Sequence, residues 1–333
     1  MKQILTLCVV ILATLSGCKK SGVPLPKIKG SWTLVSSLPV MDRMLSTGTG
    51  LIAYSSSNSG PVYYSNDHGV TWVLKFGSPS SNILLYPDLM NNSRVIAYSY
   101  SDSTLYLSND GGNSFSSLEH PITFGYRDKI PFVGVAGNRL FAIHVQVDST
   151  ISGPLIKSDD LGHTWDTVSP VFANDLVLGE PVLIPINNSI FIFTISGAIY
   201  KSLDTGSTWT IQNASSPVIN FGGQMSNGNI IGTSPYDIYK SPDFGMTWSS
   251  IYNNSKSNDI WAATVFDSCI LVYGDPVGSD EFICSNPNKL KWYSADVSGQ
   301  MLVTDSLYVY TWGSGSSNGV SIWRRPKSDF SGL

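Results

Sequence analysis

Short apolar runs separated by polar turns recur along almost the whole chain. Runs such as LIAYS, VIAYS and ILVYG each follow another short apolar run, such as MLST or ILLY. Short apolar runs bounded by turn residues are typical of β-strands. After the first 17 residues, no segment keeps the 3.6-residue period of an amphipathic helix. The pattern therefore predicts an all-β protein in which units of four short strands repeat.

An eight-residue motif marks these repeats. Five copies share the pattern S-x-D-x-G-x-[TS]-[WF], called the octet below, and a sixth copy, SNPNKLKW, has lost the aspartate and the glycine. In a tight turn between antiparallel strands, such an aspartate can accept backbone N–H groups and the glycine can adopt a positive φ. The closing aromatic ring can pack on the neighbouring sheet. We therefore expect a structural role for the five octet aspartates, which are Asp67, Asp110, Asp160, Asp204 and Asp243.

The closing aromatic residue of the octets allows the units to be counted. It recurs at intervals of 39 to 50 residues between Trp72 and Trp292, and Trp32 lies 40 residues before Trp72 without an octet of its own. Near the carboxyl terminus, SIWRR resembles the strand before each octet but lacks a following outer strand. A strand around Trp32 can therefore complete the last unit and close the ring. Six whole units and one split unit predict a seven-bladed β-propeller with four-stranded blades over residues 30–333.

The octet is similar to the Asp-box, or bacterial neuraminidase repeat. The chain thereby resembles the β-propellers of sialidases, sortilin and the photosystem II assembly factors. Ligand contacts are expected at the central mouth, on the face opposite the octets. Sialidases also need three arginines that grip a substrate carboxylate. Of the six arginines in this chain, only Arg43 and Arg127 are expected to reach the mouth, so sialidase activity is not expected.

The amino terminus has the pattern of a lipoprotein signal. Residues 1–17 contain Lys2 and a short apolar stretch, and LSGC at residues 15–18 resembles the lipobox of bacterial lipoproteins. The resemblance implies cleavage before Cys18, acylation of that cysteine and a lipidated tether over residues 18–29. Lys19 stands where some bacteria place an inner-membrane retention aspartate. We therefore expect a membrane-anchored protein of the cell envelope, in the outer membrane of a Gram-negative bacterium, and the leaflet stays open.

Charge and cysteine content narrow the function classes. Removal of residues 1–17 takes away only Lys2, which changes the formal net charge from −4 to −5. A mildly acidic chain does not predict nucleic-acid binding, which normally needs a basic surface.

Two cysteines remain after Cys18, and a hairpin turn around Pro276 and Val277 would place Cys269 and Cys284 opposite each other. A disulfide and two thiols both stay open for this pair.

Ligand contacts are expected at the mouth, where the loops leading into the innermost strands converge. The sequence shows no spacing typical of a metal site, a catalytic triad or a phosphate-binding loop. We therefore expect a monomeric binding or scaffold propeller without cofactor or catalysis, whose ligand is a glycan, a cation or a protein. The alternatives are a glycoside hydrolase of the envelope and a protein-complex assembly factor. The candidate ligand-binding residues are Asp42, Arg43, Arg127, Asp128, Glu180, Asp259, Trp261 and Gln300.

Overall fold

The regular structure of the protein is almost entirely β-strand. The computed structural model describes residues 30–55, 61–76, 83–88, 90–99, 104–118, 128–129, 132–146, 152–169, 182–186, 189–194, 197–218, 220–253, 260–267, 269–274, 281–286, 291–294, 301–314 and 319–331. Within these ranges one short 3-10 helix, Lys327–Phe330, accompanies the strands. No helix there has the length and hydropathy that crossing a bilayer requires.

The described strands form seven antiparallel sheets, numbered here in chain order. The first strand, β1 (Thr33–Leu38), belongs to the last of these sheets. Sheet 1 consists of β2 (Arg43–Ser46), β3 (Leu51–Tyr54), β4 (Val62–Ser65) and β5 (Val73–Phe76). Sheet 2 consists of β6 (Ile83–Pro87), β7 (Val95–Ser99), β8 (Thr104–Ser108) and β9 (Ser116–Ser117). Sheet 3 consists of β10 (Asp128–Lys129), β11 (Phe132–Ala136), β12 (Arg139–Gln146), β13 (Ser152–Ser158) and β14 (Asp166–Ser169).

The remaining sheets follow the same order of strands. Sheet 4 consists of β15 (Val182–Ile186), β16 (Ser189–Phe193), β17 (Ile199–Ser202) and β18 (Thr210–Asn213). Sheet 5 consists of β19 (Asn220–Gln224), β20 (Ile230–Thr233), β21 (Asp237–Ser241) and β22 (Ser249–Asn253). Sheet 6 consists of β23 (Ile260–Phe266), β24 (Cys269–Gly274), β25 (Glu281–Asn286) and β26 (Lys291–Ser294). Sheet 7 consists of β27 (Met301–Thr304), β28 (Tyr308–Ser314), β29 (Val320–Pro326) and β1.

Sheet 3 departs from the four-stranded pattern in its first strand only. Both β10 and β11 pair with β12, β10 at Val145 and Gln146 and β11 between Arg139 and Ala142. The two short strands together therefore occupy the place of one first strand.

The amino-terminal strand completes sheet 7. Thr33 lies opposite Arg324 and Leu38 opposite Val320, so β1 pairs with β29 along its whole length. Trp32, directly before β1, packs on the apolar cluster between sheets 6 and 7. This confirms the predicted pairing of the strand around Trp32 with the last strand of the chain. The pairing covers an edge of β29 that would otherwise expose backbone hydrogen-bonding groups.

The second strands of the sheets form the core. Every residue of β3, β7, β16 and β20 is buried, whereas outer strands such as β22 expose about half of their residues. A second strand is covered on both faces because its sheet packs between two others. This explains why the second strands appear in the sequence as continuous apolar runs without strict alternation.

Each sheet shares apolar clusters with two other sheets. The clusters join sheets 7 and 1, 1 and 2, 2 and 3, 3 and 4, 4 and 5, 5 and 6, and 6 and 7. First strands of neighbouring sheets also contact one another, as β2 and β23 both do with β27. First strands therefore lie innermost. This arrangement defines an all-β propeller with four-stranded blades.

The register of sheet 6 corrects one expectation about the cysteines. Cys284 lies opposite Leu271, and Gly274 lies opposite Glu281, so the hairpin turns one residue later than the sequence suggested. Cys269 and Cys284 are therefore diagonal neighbours on adjacent strands and do not face each other directly. The Cys269 thiol donates a hydrogen bond to the backbone oxygen of Phe330 at 3.4 Å. The disulfide between the two cysteines stays a prediction.

Candidate functional site

The octet turns use their own polar groups in a fixed network. In the octet of sheet 4, Asp204 accepts a hydrogen bond from the Ser202 hydroxyl at 2.7 Å. The same carboxylate accepts the backbone N–H of Thr208 at 2.8 Å and its hydroxyl at 2.7 Å. The Ser202 hydroxyl accepts the backbone N–H of Gly206, and the Trp209 indole donates to the Gly206 oxygen. The aspartate–serine and aspartate–threonine (or serine) contacts recur in the other four octets, at Asp67, Asp110, Asp160 and Asp243.

Two consecutive residues of each octet adopt the left-handed conformation. The octet glycine is one of them, as predicted, with φ between 80° and 99° in the five copies. The residue before it was not expected to be left-handed. The left-handed conformation is sterically unfavourable for a non-glycine residue, and the hydrogen bonds of the turn hold that residue in place. The residues that precede the octet glycine are His68, Gly111, Leu161, Thr205 and Phe244, with φ of 54° to 71°.

The hydrogen bonds of the octets keep their carboxylates ionised. Burial alone would raise the pKa of Asp204, but the hydrogen bonds from Thr208 and Ser202 outweigh it and lower the pKa to about 2. The pKa values of Asp67, Asp110 and Asp243 are lowered by the same balance of causes. For Asp160 the backbone N–H of Thr164 is the largest cause of a lowered pKa. The octet aspartates thus serve turn geometry, as the motif predicts.

The described part of the mouth contains four of the predicted ligand-binding positions. Arg43 is the first residue of β2, Asp42 precedes it, Asp128 begins β10, and Trp261 is the second residue of β23. In sheets 1 and 3 the opposite end of the innermost strand leads to a turn that contacts an octet, so Asp42, Arg43 and Asp128 lie at the end away from the octets. For Asp128 and Trp261 only the backbone is described. The other predicted residues lie outside the described ranges: Arg127, Glu180, Asp259 and Gln300, together with the lipidation site Cys18.

At the octet end, the turn after the innermost strand of one sheet contacts the octet of the next. Thr47 and Thr49 of sheet 1 donate hydroxyl hydrogen bonds to the backbone oxygens of Gly111 and Asp110 at 3.1 Å. Arg139 of sheet 3 donates to the Thr205 oxygen at 2.8 Å in the octet of sheet 4. These contacts tie neighbouring sheets together and place Arg139 away from the mouth, as predicted.

Between sheets 7 and 1, the corresponding contact of a turn with an octet forms a compact polar cluster. Asp305, in the turn between β27 and β28, lies 2.7 Å from Nδ1 of His68 in the octet of sheet 1. The same carboxylate oxygen accepts the hydroxyl of Tyr310 at 2.5 Å. The other oxygen accepts the backbone N–H groups of Leu307 and Tyr308 at 2.7 and 2.8 Å. The Asp305 side chain is 12% exposed, so these four donors replace most of its hydration.

The electrostatics of this cluster follow from its burial and its donors. Burial alone would raise the pKa of Asp305, but the donors from His68, Tyr310 and the backbone outweigh it, and the pKa is lowered. Burial and the hydrogen bond to Asp305 both raise the pKa of Tyr310, which keeps the phenol protonated as a donor. Because both Asp305 oxygens act as acceptors, the Nδ1 atom of His68 carries a proton in this pair.

A polar pocket opens beside the cluster on the octet end. Its volume is about 590 Å³, within the range typical of small-molecule sites. Its walls come from the β2–β3 turn, the octet of sheet 1, the β27–β28 turn and one residue of sheet 2. The lining residues are Ser46, Thr47, Gly48, Thr49, Gly50, Leu51, Asn66, His68, Asn92, Thr304, Asp305 and Ser306. Sequence reasoning placed ligand contacts at the mouth and missed this pocket, because His68 and Asp305 lie 237 residues apart.

Among the described residues, no three histidine, cysteine, aspartate or glutamate side chains come close enough to hold a metal ion. The fold and these sites define the chain as a β-propeller whose turns carry the octet network. Comparison with protein-family profiles and with curated protein sequences finds no match.

Solved structures similar to this chain are propellers of several kinds. A structure of YCF48 bound to a D1 peptide is 13% identical with a TM-score of 0.60, and the match covers 91% of this chain and 99% of that chain. BamB from Moraxella catarrhalis is 12% identical with a TM-score of 0.51, covering 88% and 100%. The GH74 enzyme from Niastella koreensis is 16% identical with a TM-score of 0.54, covering 88% of this chain and 43% of that enzyme. At these identities the similarity establishes the propeller fold alone.

Proposed function

We propose that the seven sheets are the blades of one closed ring that serves as a non-catalytic binding scaffold at the cell envelope. The ring contacts a protein partner through the mouth opposite the octets. The observation that carries this proposal is the position of Asp42, Arg43, Asp128 and Trp261. These residues begin the innermost strands of three different sheets, so charged and aromatic positions converge on one end of the central axis.

A protein partner is favoured over the other ligand classes by two considerations. Asp42 and Arg43 bring opposite charges to adjacent positions, which suits a polypeptide surface of mixed charge. The YCF48 structure with its bound peptide shows that a propeller of almost the same extent can take a peptide ligand. The five octet carboxylates are engaged in their own turns, so they support the scaffold.

The partner can be captured by photo-crosslinking in the native envelope. A photoreactive amino acid at position 42 or 261 should crosslink to one defined protein, whereas the same amino acid at position 109, in an octet, should not. The purified partner should then bind the double variant Asp42→Ala/Arg43→Ala at least about tenfold more weakly than the unaltered protein. Crosslinks that form only from position 109 would contradict the mouth as the binding surface.

The glycoside-hydrolase alternative is tested on the same material. Incubation with a glycan array should yield no released sugar from the unaltered protein. Hydrolysis that is abolished by Asp42→Asn or Asp128→Asn would instead establish an envelope glycosidase, which needs two carboxylates at the mouth.

We propose further that the ring is anchored through Cys18, in the outer membrane. Acylation at Cys18 supplies several acyl chains, and more than one chain is needed for stable anchoring. Labelled palmitate should be incorporated into the full-length protein and not into the Cys18→Ser variant, and only the labelled protein should sediment with outer-membrane vesicles. Release of the unaltered protein into the soluble fraction would refute the anchor.

A further inference from the structure

The pocket on the octet end contains hydrogen-bonding groups that the protein itself leaves unused. The carboxamides of Asn66 and Asn92 and the hydroxyls of Ser46, Thr304 and Ser306 line it and make no hydrogen bond to another described residue. These five residues come from three sheets and line one volume. They offer both donors and acceptors, which a ligand with several hydroxyl groups can use.

His68 adds a hydrogen-bonding group of fixed orientation to this set. Its Nδ1 atom is held by Asp305 at 2.7 Å, and the ring lies 5.4 Å from Tyr308, so the imidazole is fixed in orientation. Arg324 also donates to the backbone oxygen of His68 at 2.8 Å. With Nδ1 engaged by Asp305, Nε2 is the ring nitrogen that remains to form a hydrogen bond with a ligand. The side chain is 39% exposed, which leaves it accessible.

The charges around the pocket select against ionic ligands. No lysine or arginine is among the lining residues, so an anion would find no cationic partner and would meet Asp305. A cation would find both Asp305 oxygens already occupied, one by His68 and Tyr310 and the other by two backbone N–H groups. An uncharged ligand has no charge that would be left without a partner in the pocket.

We propose that this pocket binds an uncharged polyhydroxylated ligand, a mono- or disaccharide, at the octet end of the propeller. The site is separate from the mouth and does not depend on the protein partner proposed there. Its volume of about 590 Å³ suits a ligand of this size. Glycoside hydrolysis requires two carboxyl groups, one as general acid and one as nucleophile or base. Among its described lining residues the pocket offers only Asp305, whose oxygens already accept four hydrogen bonds, so we propose that the site binds its ligand without cleaving it.

The experiment uses the full-length protein in a detergent without a sugar headgroup, because a glycoside detergent would compete for the pocket. Glucose, galactose, mannose, N-acetylglucosamine, maltose and cellobiose serve as neutral probes, glucuronate as an anionic probe and N-acetylglycinamide as a peptide-like probe. Saturation-transfer NMR identifies binding, and calorimetric titration gives the dissociation constant. We expect at least one neutral sugar to bind in the millimolar range, and glucuronate and N-acetylglycinamide to bind more weakly.

Matched variants locate the binding. Asn66→Ala and Asn92→Ala should each weaken sugar binding about three- to tenfold, as the loss of one hydrogen bond predicts. Asn109→Ala is the control, because Asn109 holds the same octet position as Asn66 and does not line the pocket. Ser306→Trp should abolish binding by filling the pocket, and thermal unfolding of each variant verifies that it is folded.

Three results would overturn the proposal. These are the absence of binding by every neutral probe up to about 20 mM, binding that Asn66→Ala, Asn92→Ala and Ser306→Trp leave unchanged, and a preference for N-acetylglycinamide or glucuronate. None of these results bears on the photo-crosslinking at the mouth, so the two proposals can fail independently.

Discussion

Replacement of Asp305 by alanine should destabilise the junction between sheets 7 and 1. The change removes the acceptor of the Tyr310 hydroxyl, and Tyr310 is fully buried. An unsatisfied buried hydroxyl costs about 1–3 kcal/mol, and two lost turn hydrogen bonds add about 0.5–1.5 kcal/mol each. The free energy of unfolding should therefore fall by about 2–6 kcal/mol. Equilibrium unfolding in urea, followed by tryptophan fluorescence, measures this change.

A double-mutant cycle tests whether the loss comes from the contact with Tyr310. Tyr310→Phe removes the hydroxyl without leaving a buried polar group, so it should cost little in the Asp305→Ala background. We expect a coupling energy of about 1–2 kcal/mol between the two residues. If the effects of the two substitutions add to within about 0.5 kcal/mol, the reasoning about this contact is wrong.

The pH dependence of the stability that Asp305 contributes has a definite sign. The folded-state pKa of Asp305 is lowered, so its contribution is present above the unfolded-state pKa of about 3.9 and is lost as the pH falls through the folded-state pKa. The difference in unfolding free energy between the unaltered protein and Asp305→Asn should stay constant from about pH 7 to pH 5 and shrink below about pH 4. A difference that grows on acidification would contradict this assignment.

Substitutions at Asp204, Gly206 and Arg139, each with a comparison variant, test the octets and their contacts. Asp204→Ala should lower the free energy of unfolding by about 1–3 kcal/mol, whereas Leu203→Ala, at a position 75% exposed, should have almost no effect in the same urea titration. Gly206→Ala should cost about 1–3 kcal/mol more than Gly228→Ala, since both glycines have a φ of 86° but only the first would place its Cβ 2.2 Å from a phenylalanine ring. Arg139→Ala should lower the thermal midpoint, and Arg139→Lys should recover only part of it because lysine lacks the planar fork.

Much of the fold could be predicted because its signals are local and repeated. The octet contains every partner of its own network within eight residues, so the roles of Asp204 and Gly206 follow from the motif itself. The second strands are continuous apolar runs because sheets cover them on both sides. The pairing of β1 with β29 was predictable from two incomplete units that complement each other at the chain ends.

Other features could not be predicted because they depend on geometry that the motif does not encode. The register of β24 and β25 depends on the length of the turn between them. Because this turn is centred one residue later than the sequence suggested, Cys284 lies opposite Leu271. The left-handed conformation of His68 could not be predicted because that octet position is occupied by several residue types. The contact between His68 and Asp305 joins distant parts of the chain, and neither residue belongs to a recognisable pair in the sequence.

The two ends of the propeller differ in how their polar groups are used, and this difference bears on where ligands bind. At the octet end, aspartates, hydroxyls and Arg139 are largely occupied by contacts within and between turns, so this end is rigid. The pocket described above lies there beside the β27–β28 turn, which places Asp305 across from His68. Binding at such a site needs little reorganisation, which favours a small ligand of fixed shape. At the end opposite the octets, Asp42 and Arg43 lie at the start of an innermost strand, where the protein partner that we propose would contact them.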